Sequence, residues 1–299
     1  MVWIRKGVNN GITFYELRHN VKIEGKVRVM SKYLGRSVPE NVIEIQKRFL
    51  QEIDSNIMQR VFNPIKGTTE IATPSTGTKR GIPIKVSFGV YFTFVSQRMS
   101  GCKLTLLEAS RLLEKNKTRW ERSASDNMET KAHYFLYNSI LTEKRSLSFE
   151  MINDWHWKLF RNTKPAIAGL LRKNIARTSF AEYEFPEANR IEEMLRNLIY
   201  WYLESNDLHP VMVAGIMHSM ILMIHPFSCG NGRIARLALN YVLHRHGYPM
   251  YGFDERQVER ICYYNSLIRS LERNDYREIT KWFYRRYKRN YVKRKTFSS

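Results

Sequence analysis

The strongest constraint on this fold lies in the C-terminal half of the chain. It is a buried helix followed by a tight turn and a second helix. Residues 211–224 contain no Asp, Glu, Lys or Arg, and this run is shorter than the ~20 residues that cross a bilayer. It therefore predicts a helix buried in a protein core. Residues 234–246 continue with a helical pattern after a glycine-containing turn. A chain of 299 residues is long enough to enclose such a helix pair.

The turn between these helices has the composition of a phosphate site. Two glycines flank Asn231, and a helix opening there leaves unpaired N–H groups at the positive end of its dipole. Arg233 and Arg236 lie three residues apart, on one face, and can bind further phosphate oxygens. His225 lies across the turn, where an imidazole can accept a proton from a hydroxyl. Alone, the histidine is more often a packed or capping residue, and Gly-Asn-Gly is more often an ordinary turn. Together with the two arginines, they predict a phosphate cradle beside a base.

The composition indicates the compartment in which the protein works, but it does not identify the class of molecule that it binds. Lys and Arg number 49 against 28 Asp and Glu, a net charge of +21, which suits nucleic acid, an acidic membrane face, an acidic protein or only a solvated basic surface. The cysteines, Cys102, Cys229 and Cys262, lack metal-ligand spacing and predict free thiols in a reducing cytoplasm. The N-terminal residues lack a signal-peptide pattern. We therefore expect a soluble cytoplasmic protein that has no membrane partner.

The N-terminal quarter predicts a small β module and a connection. Residues 1–36 are rich in strand formers, with turn signals at residues 9–11 and 24–25, and predict a two- or three-stranded meander. Covering a helical core is its favoured role, and docking a partner or nucleic acid is the alternative. Residues 37–83 predict a connecting helix, about 39–61, and a loop rich in Pro, Gly and Thr.

The rest of the chain predicts a mainly α domain. Apolar residues at helical spacing predict a helix near 88–99, and caps at Thr105, Asp126 and Ser148 predict three more. Further segments are an extended loop or hairpin at 168–185, a helix beginning at Pro186, helices at 258–271 and 276–287, and a basic tail at 291–299.

The residues from His225 to Arg236 resemble the signature of the Fic family. That signature places a histidine, a phenylalanine two residues later, an acidic residue, Gly-Asn-Gly-Arg and a final arginine in fixed order. The helix at 126–140, the helix ending in His156 and the helix at 186–205 also follow the family's order. The resemblance covers residues 84–290 and implies a Fic-type helical bundle carrying a β-hairpin flap.

The resemblance implies AMP transfer from ATP to a hydroxyl side chain of an unidentified target protein. His225 becomes the general base, and Asn231 with the amides around Gly230 and Gly232 holds the α-phosphate. Arg233 and Arg236 bind the outer and terminal phosphates. The flap near residues 171–179 is expected to lay the target segment across the site as an added strand. The implied catalytic residues are His225, Asn231 and Arg233, and the implied nucleotide-binding residues are Phe227, Gly230, Asn231, Gly232, Arg233, Arg236, Tyr263 and Tyr264.

Phe227 and the two tyrosines have specific expected places. Phe227 should pack beneath the loop as a core anchor. Tyr263, Tyr264 and Asn265 fall where the family lines its nucleoside pocket, although core packing explains the tyrosines equally well.

This sequence departs from the family at the metal position. Cys229 replaces the acidic residue that binds the magnesium bridging the nucleotide phosphates. A thiol is soft, whereas magnesium prefers hard oxygen ligands. The resemblance therefore implies ATP as substrate but predicts no protein metal ligand, and weakened magnesium support.

A second departure lies in the family's inhibitory segment. Many Fic proteins carry a helix whose glutamate pairs with the last arginine of the signature and excludes the terminal phosphate. Ser96, Ser100 and Gly101 occupy the matching segment, and Ser100 stands at the glutamate position. A hydroxyl cannot form the charge-assisted contact of a carboxylate, so this brake is expected to be absent or weak.

Several functional interpretations follow from these departures. One is a constitutively open nucleotidyltransferase with altered metal or donor use. Another is a domain that has drifted from fast transfer and binds a nucleotide or a protein. The third is a nucleic-acid-associated protein that uses the meander and the basic tail, where Tyr287 and Tyr291 alternate with Lys and Arg.

Overall fold

The computed structural model describes residues 2–23, 26–67, 78–79, 82–83, 86–117, 123–176, 183–254 and 257–291. These residues form a mainly helical protein with a small antiparallel sheet at the N-terminus, which confirms the predicted fold class. The chain divides into two compact units, residues 1–64 with 206–209, and residues 65–205 with 210–299. The predicted domain boundaries at 36, 83 and 290 stay predictions.

The first unit is a three-stranded meander covered by one helix. Its sheet has the strand order β1-β2-β3, and both neighbouring pairs are antiparallel. Asn10 and Gly11 join the first two strands with positive φ angles, as two-residue hairpins favour. The other predicted turn, residues 24–25, lies outside the described residues. The bounds are β1 (Val2–Asn9), β2 (Ile12–Ile23), β3 (Lys26–Gly35) and α1 (Val42–Phe62).

Alternation along β2 explains why the sheet and α1 pack together. Leu17 and Val21 point to the same face and form a buried cluster with Phe49 and Ile53 of α1. The helix is therefore the cover of this sheet, and not only a connection.

The second unit is built around the predicted buried helix pair. Thirteen of the fifteen residues of α7 are buried, and α7 packs against α6, α8 and α10. A short pairing of β4 (Thr78–Lys79) with β5 (Ile82–Pro83) precedes its helices. Among the described residues, no helix combines the length and the apolar composition that a membrane crossing needs. The helices are α2 (Phe88–Arg98), α3 (Leu106–Lys115), α4 (Ala124–Thr142), α5 (Phe149–Phe160), α6 (Ile191–Glu204), α7 (Pro210–Ile224), α8 (Asn231–Arg245), α9 (Gln257–Glu272) and α10 (Arg277–Tyr291).

Local signals located most helix starts, with two corrections. The capping box of Thr105 and Glu108 is present, and Ser148 caps α5. The predicted cap Asp126 is wrong, because Ser123 caps α4 and Asp126 lies in the first turn. The helix predicted from Pro186 begins at Ile191, after a 3-10 turn at Ala188–Arg190, because the backbone at Glu187 is extended.

The positions of Tyr287 and Tyr291 at the end of α10 contradict the prediction that these rings stack on nucleic-acid bases. Tyr287 and Tyr291 are buried, and their hydroxyls donate to the backbone carbonyls of Pro249 and Met250. These rings therefore belong to the core and are not available for base stacking. The predicted basic tail lies, from residue 292 onward, outside the described residues.

Candidate active site

A cavity of about 310 Å³ lies where α8 begins. It brings together most of the residues predicted from the sequence: His225, Cys229, Gly230, Asn231, Gly232, Arg233, Arg236, Ser100, Tyr263 and Tyr264. Phe227 does not line the cavity. None of the described residues that line it is Asp or Glu, so the cavity suits an anion.

The loop before α8 turns sharply enough to expose the start of the helix. Gly230 is the N-cap, with φ of +78° in the left-handed region. A Cβ on Gly230 would lie 2.5 Å from the Phe160 ring, so a glycine is required here on two grounds. The first helical bonds run from the amides of Arg233 and Ile234 to the Gly230 carbonyl. The amides of Asn231 and Gly232 precede that of Arg233 at the start of the helix. They are therefore the ones placed to bind an oxyanion.

Asn231 holds the loop in this shape. Its side-chain oxygen accepts from the Phe227 amide at 2.9 Å, and its side-chain nitrogen donates to the Phe227 carbonyl at 2.7 Å. Because Asn231 is almost fully buried, these bonds occupy its amide group. The side chain therefore closes the loop, and Asn231 is also one of the residues that line the cavity.

Below the loop, Phe227 and His156 form a stacked pair. Their ring centroids lie 3.9 Å apart and their planes are nearly parallel. The Gly169 amide donates to Nδ1 of His156, so Nε2 carries the proton and donates to the Cys229 carbonyl at 3.2 Å. Burial lowers the pKa of His156 to about 4, which keeps the ring neutral. His156 therefore fixes the backbone at Cys229 from beneath.

A residue that the sequence analysis missed, Arg172, holds the other end of the loop. Its guanidinium donates to the carbonyls of His225 (2.8 Å), Asn174 (2.8 Å) and Pro186 (2.5 Å), and its amide donates to Pro226. No local motif marks Arg172, because its bond to the His225 carbonyl spans 53 residues of the sequence. Its positive charge does not distinguish it either, because the chain contains 49 Lys and Arg residues.

His225 lies at the cavity wall in a partly apolar environment. Its ring centroid is 4.6 Å from that of Phe185, and its φ is +51°, an uncommon value for a residue with a side chain. Burial lowers the pKa of His225 to about 4, and the nearby charge of Arg172 acts in the same direction. A neutral imidazole at neutral pH retains a lone pair for accepting a proton.

Arg233 is held by an ion pair that sequence spacing did not reveal. Its Nη1 donates to Glu129 of α4 and to the Gln97 side chain at 3.1 Å. The bonds from Arg233 and from Lys164 keep the pKa of Glu129 below its ordinary value, against the opposing effect of burial. Nε of Arg233 is buried and has no hydrogen-bond partner among the described residues.

Arg236 is the least compensated charge of the site. It is buried, and it donates to the Ser96 hydroxyl (2.9 Å), the Ser96 carbonyl (2.8 Å) and the Ser100 hydroxyl (3.3 Å). No described carboxylate forms an ion pair with it. Burial lowers the pKa of Arg236 from its usual high value. Gly101, with φ of +93°, turns the chain just beyond Ser100.

The two tyrosines of α9 close the far side of the cavity. Tyr264 donates to the Met99 carbonyl at 3.1 Å, and the hydroxyl of the buried Tyr263 lies 3.4 Å from Nε2 of His218. Both tyrosines line the cavity and also take part in core packing. The two interpretations, nucleoside-pocket lining and core packing, are therefore compatible. The next residue, Asn265, lines a different cavity between α9 and α10.

Part of the predicted flap is described. Residues 171–176 contain no strand, and residues 177–182 lie outside the described residues. The role of the flap in binding a target stays a prediction.

Sequence comparison identifies relatives of this region. Residues 146–243 match the sequence model of the Fic/DOC family. Protein adenylyltransferase fic-1 of Caenorhabditis elegans is 29% identical over 168 residues, which are 53% of this chain and 33% of that protein. Protein adenylyltransferase Fic of Nematostella vectensis is 23% identical over 206 residues, 67% of this chain and 47% of that protein. The match thus spans less than half of each relative.

Solved structures share the fold. A Fic domain containing signaling protein from Bacteroides thetaiotaomicron aligns with a TM-score of 0.60 and 27% identity over 69% of this chain and 83% of that one. Fic-1 from C. elegans (residues 134–508) aligns with a TM-score of 0.63 and 23% identity over 87% and 80%. The loop with the exposed helix start lies inside the segment that matches the family. Residues 146–243 are therefore similar in sequence to the Fic/DOC family, and the described helices share the fold of solved Fic structures.

Proposed function

We propose that this chain transfers AMP from ATP to a hydroxyl side chain of another protein. The observation that carries the proposal is one cavity that holds a neutral histidine, the exposed start of α8 and two arginines of the same helix. The curated relatives named protein adenylyltransferases support the same activity.

The proposed reaction is an in-line displacement at the α-phosphorus. The target oxygen forms the new bond to phosphorus while His225 accepts its proton, and the bond to pyrophosphate breaks as pyrophosphate leaves. Positioning and charge neutralisation are the main demands of such a step on the protein. The amides of Asn231 and Gly232 hold the α-phosphate, and Arg233 and Arg236 bind the outer phosphates.

The donors beside the phosphate site do not fit magnesium. Cys229 offers a thiol whose pKa burial raises, so it stays protonated, and magnesium prefers hard oxygen ligands. Glu129, the carboxylate that pairs with Arg233, already accepts from Arg233, Thr163 and Lys164. We therefore assign no step of the reaction to a metal ion.

The same observation favours a second candidate function, nucleotide binding without transfer. A cradle that retains its phosphate donors while lacking metal support can bind a nucleotide and still react slowly. The nucleic-acid interpretation loses support, because Tyr287 and Tyr291 are buried.

Transfer of label separates the two candidates. The protein is incubated with α-labelled ATP and either EDTA, Mg²⁺ or Mn²⁺, and label is read on the protein itself and on lysate proteins. We expect wild-type labelling and a loss of about 10²–10⁴-fold in His225→Ala, because a positioned base contributes this much.

His246→Ala removes an exposed histidine at the end of α8 and is the matched control. It should label like the wild type. Equal labelling by His225→Ala would contradict the role of His225. Nucleotide binding by the wild type without any label transfer would favour the second candidate.

A further inference from the structure

Lys164 is a cation of the cavity that the resemblance did not assign. It follows α5 in a tight turn, in which its amide donates to the Phe160 carbonyl at 2.7 Å and its carbonyl accepts from Ile167 at 3.1 Å. Its side chain lines the cavity together with Cys229 and Gly230. The turn thus places an ammonium group at the phosphate cradle.

Two contacts fix the direction of this side chain. Nζ lies 3.0 Å from Oε1 of Glu129 and 4.8 Å from the centre of the Phe160 ring. The Arg233 guanidinium lies 4.6 Å from the same ring, so the two cations converge on Phe160. The Lys164 side chain is 45% exposed, which leaves the ammonium accessible to a ligand in the cavity.

The summed charge of the ionised groups around the cavity favours the binding of a polyanion. Lys164, Arg233 and Arg236 are three cations, and Glu129 is one carboxylate, so these four groups sum to +2. An acidic residue with a bound divalent cation adds −1 and +2, a net +1. A neutral thiol with an ammonium adds 0 and +1, which is the same net charge. Cys229 with Lys164 therefore matches the charge of an acid with its metal.

We propose that the Lys164 ammonium neutralises nucleotide phosphate charge in place of a divalent metal ion, so that the cavity binds ATP without metal. The inference rests on the proposed function only in taking ATP as the ligand. Binding, and not transfer, is its direct consequence.

Calorimetric titration with the β,γ-imido analogue of ATP tests this directly, in buffer with EDTA and in buffer with Mg²⁺. For the wild type we expect dissociation constants within about threefold of each other in the two buffers. Lys164→Met should weaken binding in EDTA about tenfold, because it removes one charge-assisted contact. Lys164→Arg should stay within about threefold of the wild type, because it retains the charge.

A matched control and an exchange variant complete the design. Lys158→Met removes a half-buried lysine of α5 that pairs with Asp154, outside the cavity, and should bind like the wild type. The double variant Lys164→Met with Cys229→Asp exchanges the ammonium for a metal-binding acid. We expect its binding to become at least about tenfold tighter in Mg²⁺ than in EDTA. Thermal unfolding verifies that each variant is folded.

The outcomes discriminate between this inference and the proposed function. Wild-type binding that needs Mg²⁺, or unchanged binding by folded Lys164→Met, would overturn the role of Lys164 alone. A folded wild type that binds no nucleotide in either buffer would overturn both. Metal-independent binding without transfer would support the inference while contradicting AMP transfer.

Discussion

At the scale of single residues, the candidate site is governed by the environment of its charges. Burial keeps His225 neutral, and burial also places Arg236 where hydroxyl and carbonyl dipoles are its described partners. One group can therefore accept a proton and the other retains unmet attraction for an anion. These two properties lead to separate predictions.

The pH dependence of transfer should reflect the lowered pKa of His225. A histidine whose folded pKa is about 4 remains unprotonated, and active as a base, at pH 5.5. We therefore expect kcat/KM at pH 5.5 to be within about twofold of its value at pH 7, with the acidic limb near pH 4. Initial rates, restricted to the pH range in which circular dichroism shows a folded chain, test this. An acidic limb centred near 6.5 would contradict it.

Introducing a carboxylate next to Arg236 should close the cavity to phosphate. Ser100 lies 3.3 Å from Nη2 of Arg236, and Ser100→Glu can replace that contact with an ion pair. We expect the affinity for the ATP analogue to fall about tenfold. Ser100→Gln is of similar size without charge and should have a smaller effect. Affinity in Ser100→Glu equal to that of the wild type would show that the carboxylate does not reach Arg236.

At the scale of elements, the loop between α7 and α8 is shaped by groups from outside both helices. Arg172 holds its first residues, and His156 holds the carbonyl of Cys229. The loop therefore depends on α5 and the segment that follows it as much as on its own sequence.

Replacing Arg172 should reduce both stability and transfer. Arg172→Met leaves the carbonyls of His225, Asn174 and Pro186 without their donor, at a cost of about 3 kcal/mol in the free energy of unfolding. Because the His225 backbone is released, we also expect kcat to fall more than the affinity for nucleotide. Urea unfolding and label transfer measure the two effects.

The control for this substitution is Arg161→Met, which removes an arginine packed over Trp157 at the surface. It should change stability by less than about 1 kcal/mol. Equal effects of the two substitutions would indicate that Arg172 contributes charge and not loop geometry.

Some features of these elements were predictable, because the residues that determine them lie close together in the sequence. Thr105 and Glu108 form a cap within four residues, and Gly230 begins α8 beside the arginines of its own first turns. Arg172, His156 and Glu129 were missed as site residues, since their partners lie 53, 73 and 104 residues away. Long-range polar contacts leave no periodic pattern in the sequence. The fold class was therefore predictable, whereas the groups that support the site were not.

At the scale of the whole molecule, histidines whose pKa values are lowered by burial link stability to pH. Burial lowers the pKa of His156 and His225 to about 4, of His218 to about 3, and of His133 well below its ordinary value. Each histidine is neutral in the folded chain, while in the unfolded chain it binds a proton below about pH 6.5. Their contribution to stability is therefore present above pH 6.5 and lost as the pH falls toward the folded pKa values.

This linkage predicts acid sensitivity of a definite sign. The free energy of unfolding should decrease below pH 6.5 by about 1.4 kcal/mol per pH unit for each such histidine. Urea unfolding between pH 7.5 and 5 measures the slope. His218→Gln removes one titrating group and should reduce the slope by one such increment. A stability that does not change between pH 6.5 and 5 would contradict the prediction.

The contacts of Arg236 have a consequence for how long the protein persists. A guanidinium enclosed in the core with hydroxyls and a carbonyl around it leaves the ligand-free fold with attraction that only an anion satisfies. Unfolding and ligand release then belong to one thermodynamic cycle, in which occupancy raises the apparent stability in proportion to ln(1 + [L]/Kd). Resistance to proteolysis therefore becomes a measure of occupancy. The lifetime of the chain should rise and fall with the supply of its phosphate-bearing ligand.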